Sequence, residues 1–531
     1  MSIFEVILIN PMKRQRAVLF ITKLWKWFTA DFLGIFKEMR WSYLPPLMVY
    51  LAAGVSGFTG IIESFFIKDN LGLSAAFLAG LAFWAGLPWA LKMPLGHLVD
   101  LFWRRKALFV YLGASLMAIS LLIMVGLTGY ADRMGSILKL ETWYIISALL
   151  SPIGFVMQDV VADAMTVEAV PDIDQDGSLI PEAQVQRMHV TVQTLGRIAI
   201  IGGSALVAGL GGWLAQTLSY VIMYWISLII PLISVMGVVS ANLTQRRRRL
   251  SKSSTDTRLK ADETSHALEP DWHILGGSGL FVVIALIFGI SDLTFKKEII
   301  LFGSLGIIVY LMKNILAALN PAKQREIIGI AVIVFVFRAM PTFGAGASWW
   351  EIDVLKFDEA FFGTLRQISS ILAILGMFGL RGWMARRPLP YLVVFLSIYS
   401  TLMMLPFIGM FYGLNDWTQA TFGFGARTIA IIDTMADSPL GQVAMVPMLA
   451  WIAKEAPKNL KATYFAVMAA FTNLALSASN LATEYINKIF VIERGQYDEL
   501  GMLMMTVTGL SLALPILTVF LCNRIFLPLN R

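Results

Sequence analysis

The chain has 531 residues, 57% of them hydrophobic and 15% charged, with a mean hydropathy of +0.71 and a formal net charge of +7. Soluble domains run about 45–50% apolar and about 25% charged, so a string of soluble domains is excluded. The apolar residues gather in blocks of about 18–25, the length that crosses a bilayer core, and not in the alternating segments of about ten that build a transmembrane barrel. The expected fold is therefore an all-α polytopic membrane protein.

Residues 1–43 mix basic and aromatic side chains, with KRQR at 13–16 and FITKLWKWF at 20–28. No small-residue cleavage site follows a short apolar core, so this is expected to be a cytoplasmic segment, either an interfacial helix or a disordered basic tail. An N-terminal unit, 44–242, then holds six candidate spans at about 44–67, 75–98, 107–128, 142–168, 188–212 and 217–241. The first carries Gly54, Ser56, Gly57 and Gly60, small residues that let helix backbones approach in lipid. Residues 243–272 contain RRRR at 246–249 and no apolar periodicity, the pattern of a flexible cytoplasmic linker. An extra helix pair follows within 273–318, at about 274–291 and 298–318. A second unit, 326–525, holds six more spans, at about 327–345, 360–382, 390–412, 428–453, 462–487 and 501–523.

About fourteen helices is an even count, which puts both termini on one side. The basic clusters at 13–16, 104–106, 246–249, 381–387 and 458–461 place that side in the cytoplasm, as expected of a multi-pass protein in the cell (inner) membrane. The positive charge is thus accounted for by topology, and no nucleic-acid partner is expected. Lys296 and Lys297, and the acidic loop 172–182, run against this assignment and are outweighed by the other loops.

SFFIKDNLGLSAAFLAGL (64–81) aligns with SWWEIDVLKFDEAFFGTL (348–365) at a constant offset of 284, with Ser64/Ser348, Asp69/Asp353, Ala76/Ala360 and Leu81/Leu365 identical. EAVP (168–171) matches KEAP (454–457) at an offset of 286. Two matches at nearly one offset predict a duplication: two six-helix pseudo-repeats with two extra central helices between them. That layout resembles the major facilitator superfamily, in which the solute sits near the midplane between halves that rock to alternate access.

The chemistry is expected where charge enters these spans, because a charge at a helix centre costs about 2.5–3.5 kcal/mol by insertion scales and persists only against a cavity, partner or proton path. In QDVVADAMTVE (158–168), Asp159 and Asp163 fall on one helical face, with Glu168 near the helix end. Asp159 is a candidate proton relay or substrate contact, with a set of buried salt bridges as the other reading; Asp163 and Glu168 are candidate gate partners of the basic loops. Arg197, Arg338 and, at a depth matching Arg197, Asn473 are candidate ligands for an anionic solute, the arginines alternatively pairing with an intramembrane acid. The loop GHLVDLFWRRK (96–106) resembles the superfamily's cytoplasmic signature. With Lys92 just before it, it makes Lys92, Gly96, Asp100, Arg104 and Arg105 gating candidates, Gly96 for close helix contact. Its counterpart GLRGWMARRP (379–388) keeps Arg386 and Arg387 but lacks the acid. Glu63, Asp433, Asp437 and Glu484 lie toward outer helix ends and are expected as rim or outer-gate charges. Trp84, Trp89, Trp349 and Trp350 fit an interfacial belt better than a stacking platform.

No GK[ST] phosphate loop, HExxH or Ser/His/Asp constellation is present, the four histidines have no metal-ligand spacing, and Cys522 is the single cysteine. No enzyme, metal site or cofactor is expected.

Several stretches together resemble the folate–biopterin transporter (BT1) family of the major facilitator superfamily: FFIKDNLGLS (65–74), LPWALKMPLGHLVD (87–100), QDVVADAMTVE (158–168), RAMPTFGAGASWWEIDVLKFDEAFFGTLRQISSILAILG (338–376) and PLGQVAMVPMLAWIAKEAPKNLKATYFAVMAAFTN (439–473). The likeness runs from about residue 45 to 525 and implies import of folates or pterins coupled to protons, with a small-molecule solute, protons and the bilayer as partners. Lys461 stands where the family tends to have an acid, and the helix pair at 274–318 is extra. Fourteen helices and the QDVVADA element also resemble the AmpG-like muropeptide permeases and the acetyl-CoA transporter group. A muropeptide permease is the alternative function, and a non-transporting membrane assembly factor the alternative of another class.

Overall fold

A computed structural model describes residues 38–526, apart from 91, 103–104, 172–177, 179, 252–275, 277–281, 290, 292, 318, 385, 442–447 and 449–460. Among the described residues there is no strand, only an isolated bridge between Glu493 and Gln496. The helices are α1 (Leu44–Val55), α2 (Gly60–Asn70), α3 (Ala75–Ala90), α4 (Lys92–Leu101), α5 (Ala107–Gly129), α6 (Ala131–Ile137), α7 (Leu140–Glu168), α8 (Glu182–Ala215), α9 (Tyr220–Ser227) and α10 (Ile229–Ser251). After a helical stretch at 282–289 come α11 (Lys296–Leu316), α12 (Pro321–Arg338), α13 (Ala345–Asp353), α14 (Glu359–Met384), α15 (Leu389–Phe411), α16 (Leu414–Phe422), α17 (Ala426–Gly441), α18 (Lys461–Ile489) and α19 (Leu500–Ile525). Eight described helical spans, from Trp41–Asn70 to Leu500–Ile525, are long and apolar enough to cross a membrane. Many of their large apolar side chains face outward, as a lipid-facing bundle requires.

The pairs α5–α7, α8–α14 and α3–α18 run antiparallel, and small residues set their spacing. Between α5 and α7, a Cβ on either Gly113 or Gly154 would stand 2.5 Å from the other's carbonyl oxygen, and Ser120 and Ser147 bond at 2.9 Å further along the seam. α8 meets α14 where a Cβ on Gly212 would lie 2.4 Å from the Glu359 carbonyl oxygen. α3 meets α18 where a Cβ on Gly86 would lie 2.9 Å from Ser477 Oγ. Dispersion grows with close approach, which lipid-immersed helices need because burial from water is not there to drive them together.

Turns alternate between two ends of the bundle. One carries the turn residues 105–106 and 386–388 and is called the basic end; the other, the far end, carries 71–74, 354–358 and 490–499. α11 lines one wall of an apolar core with α3, α12 and α18, through Ile300 and Ile308 against Phe83, Ile327 and Met468. Its other face exposes Phe302 and Tyr310.

Among the described residues three long traverses are interrupted, that of α9 and α10 only at Leu228. A 3₁₀ turn, Ser56–Thr59, joins α1 to α2. The stretch expected as one span at 327–345 is helical only to Arg338, where α12 ends; the chain breaks at 339–344 and α13 starts at Ala345. Pro341 disfavours helical geometry before it, and Gly344 adopts a φ of +78°, which suits glycine. The exposed backbone groups are taken up by α18: Thr483 Oγ1 accepts from Thr342 N at 2.9 Å, and Ser479 Oγ donates to the Met340 carbonyl at 2.5 Å. Irregular backbone inside a bundle requires such internal partners. Trp349 and Trp350, expected in an interfacial belt, are buried at 2% and 3% exposure, because α13 turns them inward against α15 and the 490–499 turn.

Candidate functional site

A cavity of about 380 Å³ lies between α2, α13, α14 and α17. Ile61, Ser64 and Phe65 of α2 form one wall, and Ser348, Glu351 and Ile352 of α13 another. Ser64 and Ser348, related by the 284-residue offset, thus line the same space. α14 contributes Phe362, Leu365, Arg366 and Ser369; α17 contributes Asp433, Thr434, Asp437 and Ser438. Helical spacing explains the second set, since residues 433, 434, 437 and 438 fall on one face of α17. Phe65 and Phe362 meet edge-to-face at 5.9 Å. Beside the cavity, Tyr144 donates to Glu63 Oε1 at 3.0 Å.

Asp433 and Asp437 are therefore wall residues of the cavity and not rim charges, because α17 begins at Ala426 and carries them two to three turns inward. Glu484 is not at a rim either. It is 5% exposed and held by Lys297 of α11 at 2.6 Å and Lys488 at 2.8 Å. Lys297, which ran against the expected topology, is thereby neutralised.

A second cluster joins α1, α4 and α7 toward the basic end. Lys92 Nζ lies 2.5 Å from Asp159 and 2.7 Å from Asp163, and Tyr50 donates to Asp163 at 2.5 Å. Arg197 acts on Asp159 electrostatically but makes no described ion pair, so the cation that meets Asp159 is Lys92. Glu168 pairs with Lys106. Arg105, Arg386 and Arg387 are exposed, Arg387 standing 5.3 Å over the Tyr391 ring. Arg104 and the side chain of Asp100 lie outside the described residues. A Cβ on Gly96 would meet Val160 Cγ1 at 3.9 Å, an ordinary contact, so the α4–α7 approach does not require glycine there.

Arg338 ends α12, and its Nε donates to the Thr472 carbonyl of α18 at 3.2 Å. Asn473 donates to the Trp89 carbonyl at 3.3 Å. Neither lines the 380 Å³ cavity, and neither does Arg197. The cavity's own arginine is Arg366. Its signal in the sequence is a lone cation seven residues into the apolar run that opens at Glu359, inside an expected span.

At the far end the helices are tied together. Lys68 of α2 meets Asp353 of α13 at 2.6 Å, and Tyr497 donates to the same carboxylate. Burial and that bond to Asp353 push the Tyr497 hydroxyl up to about 12. Arg494 donates to the carbonyls of Lys68 at 2.6 Å, Leu71 at 2.7 Å and Leu73 at 2.9 Å while stacking 4.3 Å over Trp349. It serves the carbonyls left free where α2 ends. Tyr220 of α9 donates to Glu359 of α14 at 2.6 Å. Asp358 accepts from Phe361 N at 2.8 Å and from Arg427 at 2.7 Å. Partial burial would raise that carboxyl, and these bonds more than offset it, leaving it below its ordinary value. A cavity closed by polar ties at one end, with ion pairs beneath it, is suited to holding a small polar solute.

Comparison with known proteins agrees with this geometry. Residues 53–527 match the BT1 family. A folate-biopterin transporter of Synechocystis sp. is 22% identical over 507 residues, covering 94% of this chain and 85% of that protein. Among solved structures, a POT family transporter in complex with 5-aminolevulinic acid superposes with a TM-score of 0.61 at 12% identity, over 93% of this chain and 96% of that one. A peptide transporter POT in complex with sulfate gives 0.57 at 16% identity, over 93% and 95%. A nucleoside transporter gives 0.54 at 12%, over 92% and 100%. These likenesses show a transporter fold of the major facilitator type, and the match over residues 53–527 shows that the chain belongs to the BT1 family and is a membrane transporter, not an enzyme.

Proposed function

We propose that the protein is a secondary transporter that moves a folate or pterin across a cytoplasmic membrane by alternating access, coupled to protons. The observation that carries the reading is the 380 Å³ cavity between α2, α13, α14 and α17, within the range of about 300–1,000 Å³ typical of small-molecule sites. Its walls come from both repeated segments, one ending α2 and the other ending α13, as expected if two six-helix units, 44–242 and 326–525, enclose the solute between them. The far-end ties through Lys68, Asp353 and Arg494 then form the closed gate, and the basic end, where residues 38 and 526 both lie, is the cytoplasmic side. α11 and the helical stretch at 282–289 belong to the extra pair, and α11 braces α18 through Lys297 and Glu484.

Proton coupling is assigned to Asp159 or Asp163, which share Lys92. One cation facing two carboxylates leaves one acid able to exchange a proton without an unpaired buried charge. The folate or pterin assignment draws on the name of the Synechocystis relative. The test is uptake of labelled folate, biopterin and an anhydromuropeptide into proteoliposomes, with and without an imposed pH gradient. Gradient-stimulated uptake of folate or biopterin alone is expected. Uptake of the muropeptide alone would replace the solute assignment, and a flat response to the gradient would remove the coupling.

A further inference from the structure

The cavity holds ionisable groups that make no ion pair among the described residues, although Glu63 acts on Arg366 electrostatically from beside it. Arg366 is exposed to it and forms no ion pair or hydrogen bond among the described residues. Its guanidinium crosses from α14 to lie over Gly60 of α2, where a Cβ would stand 3.0 Å from Nη1. Facing the same space, Glu351, Asp433 and Asp437 have no cation within ion-pairing distance among the described residues, and the buried Oδ1 of Asp433 has no hydrogen-bond partner. Charges this poorly compensated are costly unless a ligand supplies the missing partners. The signs also matter. Acids outnumber the arginine, so the wall offers hydrogen-bonding carboxyl groups on one side and a single fixed cation on the other.

We infer that Arg366 and the Asp433–Asp437 pair divide the cavity into an anion-binding pole and a donor-binding pole, and that its solute is a flat heterocycle with a donor-rich edge and a carboxylate tail. This rests on the transport reading above and narrows it: within the folate and pterin class it selects the carboxylate-bearing conjugate over the free heterocycle. Asp433 and Asp437 accept the N–H groups of the ring edge, in the way a carboxylate accepts two parallel N–H bonds from any planar amidine-like donor. Phe65 and Phe362 supply an apolar wall for the ring. Arg366 takes the tail carboxylate through its planar fork, which a lysine would not reproduce. Glu63, one turn beyond Gly60 and bonded to Tyr144, acts electrostatically on Arg366 and holds it at the tail end. Arg366 and Asp433 are thus specificity-determining residues of opposite function.

The test is equilibrium binding of folate, folate dimethyl ester and biopterin to the purified full-length protein, wild type and variants. For wild type, folate should bind about tenfold or more tightly than its dimethyl ester, the size expected of a charge-assisted carboxylate contact. Arg366→Gln should erase that margin and leave biopterin binding within about twofold of wild type, while Asp433→Asn should weaken folate and biopterin together. Equal wild-type affinity for folate and its ester overturns the anion pole without any mutant, so a misfolded variant does not shield the proposal. Arg366→Gln retaining the wild-type preference also overturns it. Wild-type protein that binds none of the three compounds overturns the folate and pterin reading itself, and this inference with it.

Discussion

Lys68 of α2 and Asp353 of α13 meet at 2.6 Å, and both sit where a repeated segment turns, since Asp353 aligns with the neighbouring Asp69 at an offset of 284. The pair therefore joins equivalent ends of the two segments. Tyr497 and Arg494 lock onto it from the α18–α19 turn. Lys68 is 10% and Asp353 30% exposed at the side chain, so this contact is better shielded than a surface ion pair.

If these ties close the far end, cutting them opens it. With Cys522 replaced by serine and a single cysteine at Ser348 in the cavity wall, a membrane-impermeant maleimide added from the far side should label Lys68→Ala or Arg494→Ala protein several-fold faster than the parent. Equal labelling rates would show that closure resides elsewhere.

Lys92 bridges Asp159 and Asp163 at 2.5 and 2.7 Å. Asp159→Asn and Asp163→Asn should each abolish gradient-driven uptake and leave solute exchange in place, because exchange needs no net proton movement. Unchanged driven uptake in both variants would reject their coupling role.

The α8–α14 seam has no room for a larger residue at Gly212 or Gly363, where a Cβ would come within 2.4 Å and 2.8 Å of facing carbonyl oxygens. Gly212→Val should lower stability by about 1–3 kcal/mol, the usual cost of overpacking, read as a fall in melting temperature in detergent. Gly202, with nothing within 4 Å of its Cβ position, is the control: Gly202→Ala should melt like wild type.

Asp358 links α14 to Arg427 of α17 and has a carboxyl held below its ordinary value of 3.8. A depressed folded-state value means that the contribution is complete above 3.8 and is lost as pH falls through the lower, folded value. The melting difference between wild type and Asp358→Asn should be constant from neutral pH down to about pH 5 and close only below 3.8. A difference that grows on acidification would contradict the assignment.

The spans were legible because apolar length is a local property, and Leu389–Phe411 and Leu500–Ile525 lie within a residue or two of their expected bounds. The break at 339–344 was not, although Pro341 stands in the sequence, because what makes it tolerable is Ser479 and Thr483, about 140 residues away on α18. Asp159, Asp163 and Lys92 could be picked out as charges inside apolar runs, but their convergence on each other depends on how α4 packs on α7. Arg366 carries the same local signal as Arg197 and Arg338, a cation within an apolar run. Depth along a helix does not say which face a side chain takes, and only Arg366 faces the cavity. Lys68 and Arg494 carry no signal of their contact, since one that spans over 400 residues leaves no local trace.

On the proposed reading the solute occupies the cavity between α2, α13, α14 and α17. Ligand protection tests it directly: a single cysteine at Ser369, in the Cys522→Ser background, is labelled by maleimide with and without folate in transport-competent proteoliposomes. Folate should slow labelling in proportion to occupancy, with biopterin doing so more weakly. Labelling at an unchanged rate, in protein that still transports folate, would place the solute elsewhere and contradict the account.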